Sequence, residues 1–213
     1  MQLLVTAATS QELLNDDRSL STENCKTSCL ITGAGLMATT YTLTKYLHTN
    51  PTDLVLQIGI AGSLDKDLQP NEVVCIKSDT VADLGVEENN EFKSLFDLRL
   101  IGENDFPWEG GVLTNYNFII EKCGLKIVNG ITINEISTSQ KRINWYKKKF
   151  NARVESMEGA ALHYVCLHEK VPFLQIRSIS NYVGERDKSK WSMKQAIEIL
   201  NETLLRIIKN MEP

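Results

Sequence analysis

Apolar positions along this chain fall into two rhythms. Short apolar runs bounded by polar turns alternate with longer stretches in which apolar residues return every three or four positions. The first kind reads as strands and the second as helices. Gln2 to Ala7 is a strand of this sort, with a short helix from Glu12 after it. Ser28 to Thr32 is a second strand, and Gly33-Ala34-Gly35 turns it into a helix over Leu36 to His48. Asp53 to Ile58 is almost continuously apolar, as a strand covered on both faces should be. Glu72 to Ala82 alternates and predicts a longer strand. From Asp83 to Asn117 the pattern dissolves into loops, with turn signals around Gly102, Pro107 and Gly110-Gly111. Strands return over Leu125 to Ile133 and Pro172 to Ser180, and a cationic helix spans Ser137 to Phe150. The last helix is the most regular, with Met193, Ile197, Leu200, Leu204, Ile207 and Met211 on one face. Strands alternating with helices over the whole length predict a three-layer α/β domain.

Length and composition narrow this picture. The 213 residues suit a single domain, 1–213, and no repeat, low-complexity tract or linker divides them. Apolar residues make up 42% and charged residues 23%, which places the chain among globular proteins rather than disordered ones. No apolar run approaches the roughly 20 residues that cross a bilayer, and the N-terminus lacks the basic start of a secretory signal. A net charge of −4 argues against a nucleic-acid binder. The five cysteines are irregularly spaced with no CxxC, so no metal site is expected and the thiols read as reduced, in a cytoplasmic protein.

Several segments carry candidate chemistry, each with a plainer reading beside it. Gly33 to Ala38 fits G-x-G-x-x-A between strand and helix. A dinucleotide site would also need a carboxylate at the tip of the next strand, and Gln57-Ile58-Gly59 has none. Gly59-Ile60-Ala61-Gly62 is a second glycine-rich turn, where backbone amides can approach a ligand. Thr9-Ser10-Gln11-Glu12 matches a helix capping box, which alone explains Glu12. Glu158 opens a helix, where a carboxylate complements the dipole. Arg177 sits inside the apolar run Phe173 to Ile176 and needs a partner there, so it has no easy structural explanation. Asn181 fits a turn, and Glu185 to Lys190 fits a solvated loop.

Taken in order, Gln57 to Leu64, Val154 to Cys166 with its Met157-Glu158-Gly159-Ala160-Ala161 core, and Arg177 to Asn181 resemble the nucleoside phosphorylase and nucleosidase superfamily across nearly the whole chain. Within its nucleosidase branch, Glu155 to Ala161 and Ser180 to Trp191 most resemble the futalosine hydrolases. The resemblance implies an α/β/α fold with a mixed central sheet and hydrolysis of an N-glycosidic bond without a cofactor or metal. It matches Glu158 to the carboxylate that grips the ribose hydroxyls, with Met157 packing under the sugar. Glu12 falls at the water-activating glutamate, and Arg177 and Ser180 at positions shaping the water and base sites. Ile60, Ala61 and Gly62 would line the sugar and base pocket, and Ile133 stands where the family stacks a phenylalanine on the purine.

These matches imply a chemistry. Cleavage gives the ribose oxocarbenium character; a general base activates water, and a carboxylate near the sugar steadies the growing positive charge. Adenosine-type relatives carry aspartate where this chain has Asn181. An amide offers an N–H to O6 and a carbonyl to a protonated N7, which favours hypoxanthine over adenine. Phosphorylases of the superfamily hold phosphate with arginines in early glycine-rich loops, and between Leu20 and Leu98 this chain has no arginine. The resemblance further implies a substrate arm ending in an aryl carboxylate, with Arg186 or Lys188 as its cation. It also implies a homodimer or higher homo-oligomer, the stretch holding Phe96, Phe106 and Trp108 reaching a neighbouring subunit. A methylthioadenosine/S-adenosylhomocysteine nucleosidase, a phosphorylase and a non-catalytic nucleotide-binding protein stay open as alternatives.

Overall fold

The computed structural model describes residues 1–89 and 91–211. In chain order the elements are β1 (Gln2–Ala7), α1 (Asp17–Leu20), β2 (Lys26–Ile31), α2 (Leu36–Thr49), β3 (Leu54–Ser63), β4 (Val73–Asp79), the hairpin β5 (Gly85–Glu88) and β6 (Glu91–Ser94), and β7 (Leu113–Thr114). There follow α3 (Ile119–Lys122), β8 (Lys126–Thr132), α4 (Gln140–Phe150), β9 (Val154–Ser156), α5 (Gly159–Glu169), β10 (Phe173–Tyr182), a 3₁₀ turn at Lys188–Lys190 and α6 (Met193–Asn210).

Alternation along each strand sorts side chains into two layers. Leu3, Val5 and Ala7 of β1 pack on one side with Leu200, Leu204 and Ile207 of α6, while Leu4 packs on the other with Leu43 of α2 and Leu162 of α5. β3 and β10 obey the same rule. Leu54, Leu56, Ile58, Leu174 and Ile176 face α6; Val55 and Phe173 face α2 and α5. Each aliphatic side chain buried this way contributes roughly 1.5–3 kcal/mol. The result is the three-layer α/β/α arrangement with a mixed central sheet that the sequence predicts.

The sheet topology creates a gap that matters for function. β1 lies parallel between β2 and β3, and β3 runs parallel to β10 along nearly its whole length. β10 pairs antiparallel with β4, β4 parallel with β8, β8 parallel with β9, and β9 antiparallel with the end of β3. The partners thus return to β3 and close that half of the sheet on itself. On its other edge β3 meets β1 as far as Gln57 and β9 only from Gly62. Between those positions its backbone has no strand neighbour among the described residues. Ligands of α/β sheets collect at such breaks in strand order.

Four local expectations change. Gly59 to Gly62 is not a turn but part of β3, because pairing with β10 carries the strand on to Ser63. No helix starts at Glu12; the first helix is Asp17–Leu20, capped by Asp16 and Ser19 in a capping box of its own. The loop-rich stretch contains the β5–β6 hairpin. Val154 to Ser156 forms a short strand, and the helix opens at Gly159. Among the described residues no helix is long and apolar enough to cross a membrane. All five cysteines are free.

Candidate active site

Glu12 does two jobs. Its Oε2 accepts from the Thr9 N–H at 3.1 Å and the Thr9 hydroxyl at 3.2 Å, while its own N–H donates to the Thr9 carbonyl. The first of these is one half of a capping box; the other half is missing, because the Glu12 N–H goes to the Thr9 carbonyl and the turn does not continue as a helix. Oε1 accepts the Ile60 N–H at 3.1 Å, on the edge of β3 that neither β1 nor β9 covers. The turn is tied down from α6. Asn201 Nδ2 donates to the Glu12 carbonyl and Asn201 Oδ1 accepts the Leu14 N–H, both at 2.9 Å. Glu12 is only 9% exposed.

Arg177 lies on β10, 1% exposed. Its Nη2 donates to Gln57 Oε1 and its Nη1 to the Ile176 carbonyl at 3.3 Å. A Cβ added at Gly59 would lie 3.1 Å from both Arg177 Nη1 and Glu12 Oε1. Gly59 therefore supplies room for a guanidinium and a carboxylate to lie against the β3 backbone on this side. Burial pulls the Arg177 pKa down, while Glu158, Glu12 and Asp79 oppose that shift. A guanidinium stays charged through such a shift.

Glu158 occupies the N-cap position of α5 but makes no side-chain cap bond. Its Oε1 accepts the Gly35 N–H at 2.9 Å instead. Gly33 and Gly35 both hold φ near +85°, which side chains resist. The glycine-rich turn after β2 thus presents an amide to the protein's own carboxylate, which weighs against its being a dinucleotide cradle. Burial raises the Glu158 pKa and Arg177 counters it; the Glu12 charge pushes the same way as burial.

Asn181 is aimed by a bulge. Ile179 pairs with Ala61 and Asn181 with Gly62, so Ser180 is the extra residue in β10. The Ser180 hydroxyl lies 2.7 Å from Asn181 Oδ1 and 3.2 Å from the Ala61 carbonyl. Asn181 Nδ2 donates to the Tyr182 carbonyl at 3.0 Å. These bonds leave the amide one N–H and one carbonyl lone pair.

The remaining expected residues divide. Ala61 is buried, and Ile60, Gly62 and Met157 are half-buried around the constellation. The Ile133 side chain is enclosed with Leu64, Ile143 and Tyr146, and its N–H donates to the Ser156 carbonyl at 3.0 Å. Asn134, the next residue, borders both a cavity of about 960 Å³ between the β5–β6 hairpin and α4 and one of about 800 Å³ along α2. Arg186 stacks over Trp191, and Lys188 is exposed in the 3₁₀ turn. Phe106 is 67% exposed, whereas Trp108 packs into this chain's own core with Leu113 and Ala160, edge-on to Phe96. Trp108 is therefore not free to reach a neighbour. Gln57, Asp79, Gln175 and Asn201 support the site and were not singled out by sequence. Each looks like an ordinary polar position of its element.

A family model described as the phosphorylase superfamily matches residues 24–211. The chain belongs to that superfamily. It is 30% identical over 183 residues to futalosine hydrolase of Thermus thermophilus, spanning 84% of this chain and 80% of the relative. It is 27% identical to aminodeoxyfutalosine nucleosidase of Helicobacter pylori, over 83% of this chain and 76% of that one. The solved futalosine hydrolase of Helicobacter pylori superposes with a TM-score of 0.84 at 18% identity, covering 99% of this chain and 98% of the other. Within the superfamily the chain is of the purine nucleosidase kind that these relatives represent.

Proposed function

We propose that this chain, as one nucleosidase domain, hydrolyses the N-glycosidic bond of futalosine and releases hypoxanthine and dehypoxanthine futalosine. The observation that carries the reading is the gathering of two carboxylates, Glu12 held at the Ile60 N–H and Glu158 held at the Gly35 N–H, within the electrostatic reach of one buried guanidinium, Arg177. Glu12 is the group that orients and deprotonates water. Held by the Ile60 and Thr9 amides, it needs no rearrangement as the reaction proceeds. Glu158 accepts from the ribose hydroxyls and sets negative charge beside the oxocarbenium-like sugar, with Met157 beneath. Arg177 places positive charge near Glu158 and opposes the upward pKa shift that burial gives that carboxyl. Ser180 fixes the Asn181 amide so that its spare N–H meets O6 and its spare lone pair meets N7–H. Ile60, Ala61 and Gly62 line the sugar and base pocket; the Ile133 side chain, enclosed in the core, does not stack on the base. The substrate arm lies toward Arg186 and Lys188, and the working form is a homodimer or larger.

Adenine-type specificity is the second reading, favoured by the aminodeoxyfutalosine nucleosidase similarity. Base release followed by chromatography from futalosine, inosine, methylthioadenosine and S-adenosylhomocysteine, each with and without phosphate, separates the two. Phosphate-independent hypoxanthine release from futalosine supports the proposal; adenine release from methylthioadenosine or S-adenosylhomocysteine overturns it. In Asn181→Asp, hypoxanthine release falls, because one of the two complementary bonds is lost. An undiminished rate removes Asn181 from base choice.

A further inference from the structure

A buried polar cluster lies beneath Glu158, and no step of the proposed reaction uses it. Asp79, at the end of β4, is 1% exposed. Its Oδ1 accepts the Thr132 hydroxyl at 2.8 Å and its Oδ2 accepts Gln175 Nε2 at 3.0 Å. Thr132 Oγ1 in turn accepts the Ala160 N–H at 2.7 Å. The first amides of a helix have no partner within it, and a side chain at the N-cap usually supplies one. Glu158 holds the N-cap position of α5 yet caps nothing, because its carboxylate reaches Gly35. The cap comes from the sheet instead. Gly159 makes this possible: a Cβ there would lie 2.1 Å from both Asp79 Oδ2 and Gln175 Nε2. Gln175 stands two residues before Arg177 on β10, so the same cluster braces the strand that carries Arg177 and Asn181.

We propose that Asp79 is a positioning residue: through Thr132 it caps α5 from below, freeing the Glu158 carboxylate to be held at Gly35 and to face the ribose. The inference rests on Glu158 being the ribose carboxylate of the function proposed above. A buried aspartate contributes less to packing than an apolar residue of its size, and its charge is costly to bury unless it is fully hydrogen-bonded. Here both carboxyl oxygens are bonded, to Thr132 and to Gln175, which suits a geometric role. Among the described residues Gln175 Oε1 makes no hydrogen bond, so in Asp79→Asn that amide can turn and accept from the new Nδ2.

Futalosine turnover tests this with Thr132→Val, Thr132→Ser, Asp79→Asn, Glu158→Gln and the double variant Thr132→Val/Glu158→Gln. Thr132→Val should lower kcat/KM roughly tenfold or more, while Thr132→Ser and Asp79→Asn should stay within about threefold of the parent. The double variant should be no slower than Glu158→Gln alone, since coupled residues are not additive. Exchange of the Gly35 amide, read by NMR, should quicken in Thr132→Val and not in Thr132→Ser. Full activity in Thr132→Val, or a double variant showing the product of the two single losses, overturns the proposal. If valine at 132 prevents folding, seen by thermal melting, Thr132→Ala gives the same comparison with less bulk beside Asp79. A parent protein that releases no base overturns the functional reading instead. The Gly35 exchange then decides the positioning on its own, and unchanged exchange overturns it.

Discussion

At the scale of single residues, Glu12 makes structural bonds with one carboxyl oxygen while the other lies in the site where the proposed reaction needs a base. The capping-box pattern at Thr9 to Glu12 was legible, but only its Glu12-to-Thr9 N–H half forms, and the bonds made engage Oε2 and leave Oε1 for Ile60. Which residue Glu12 would meet was not legible, because that depends on where β1 stops beside β3. Arg177 was legible as a charge in an apolar run, since such a charge must be solvated by something. Gln57, its actual partner, was not, because it reads as one polar residue in a strand. Glu12→Gln follows from this geometry. The amide retains an oxygen for the Ile60 N–H but turns an NH₂ toward the Thr9 N–H, and it cannot take a proton from water. Base release should fall by about 10²–10⁴-fold, the usual worth of a general base, with little change in melting temperature. Steady-state kinetics beside a melting curve check both halves; a loss below tenfold removes Glu12 from the role of base.

At the scale of elements, two glycines serve the site for opposite reasons. Gly35 has open space where a Cβ would go, but its φ of +85° is strained for any side chain. Gly159 has an unstrained backbone and no space at all, its Cβ position being filled by Asp79 and Gln175. Gly35→Ala should cost about 1–3 kcal/mol through the backbone alone, since φ +85° with ψ 168° is a conformation open essentially to glycine, and should shift the amide that holds Glu158. Gly159→Ala should cost about 1–3 kcal/mol through overpacking and should weaken base release further by pushing α5 off the sheet. Urea unfolding of both variants measures the first effect and kcat/KM the second; a stable, active Gly159→Ala would contradict the close approach. The strand and helix order was legible because period-2 and period-3.6 patterns are set by burial on each face. The boundary of β3 was not. Glycines at 59 and 62 resemble a turn, and only the pairing with β10 keeps them extended. The Val154–Ser156 strand was missed for a similar reason, since three residues are too few to show a period.

At the scale of the whole molecule, the buried cluster makes a prediction about pH. Burial pushes the Asp79 carboxyl up to about 6 from 3.8, against the pull of Gln175, Thr132, Arg177 and the Thr80 backbone. Burial pulls the His163 imidazole down to about 4 from 6.5, although its hydrogen bond to the Leu113 carbonyl opposes that. The two groups act with opposite sign. Asp79 is raised, so its contribution is complete below about pH 4 and is lost as pH climbs through 6. His163 is lowered, so its contribution is complete above about pH 6.5 and is lost as pH drops through 4. Over the shared window one gains what the other loses, and the pair leaves stability nearly level. Asp79→Asn removes only the first. Its stability should therefore match the parent near pH 4 and pull ahead as pH rises. The gap should reach on the order of 3 kcal/mol by pH 7.5, the free energy of a shift of about two pKa units. Urea unfolding at pH 4, 5.5 and 7.5, with unchanged m-values, measures the gap. A variant that tracks the parent at every pH would mean that Asp79 carries no cost of charge burial. The cluster pays for its geometry in neutral solution, where the carboxylate is ionised, and this variant separates that cost from the hydrogen bonds that hold α5.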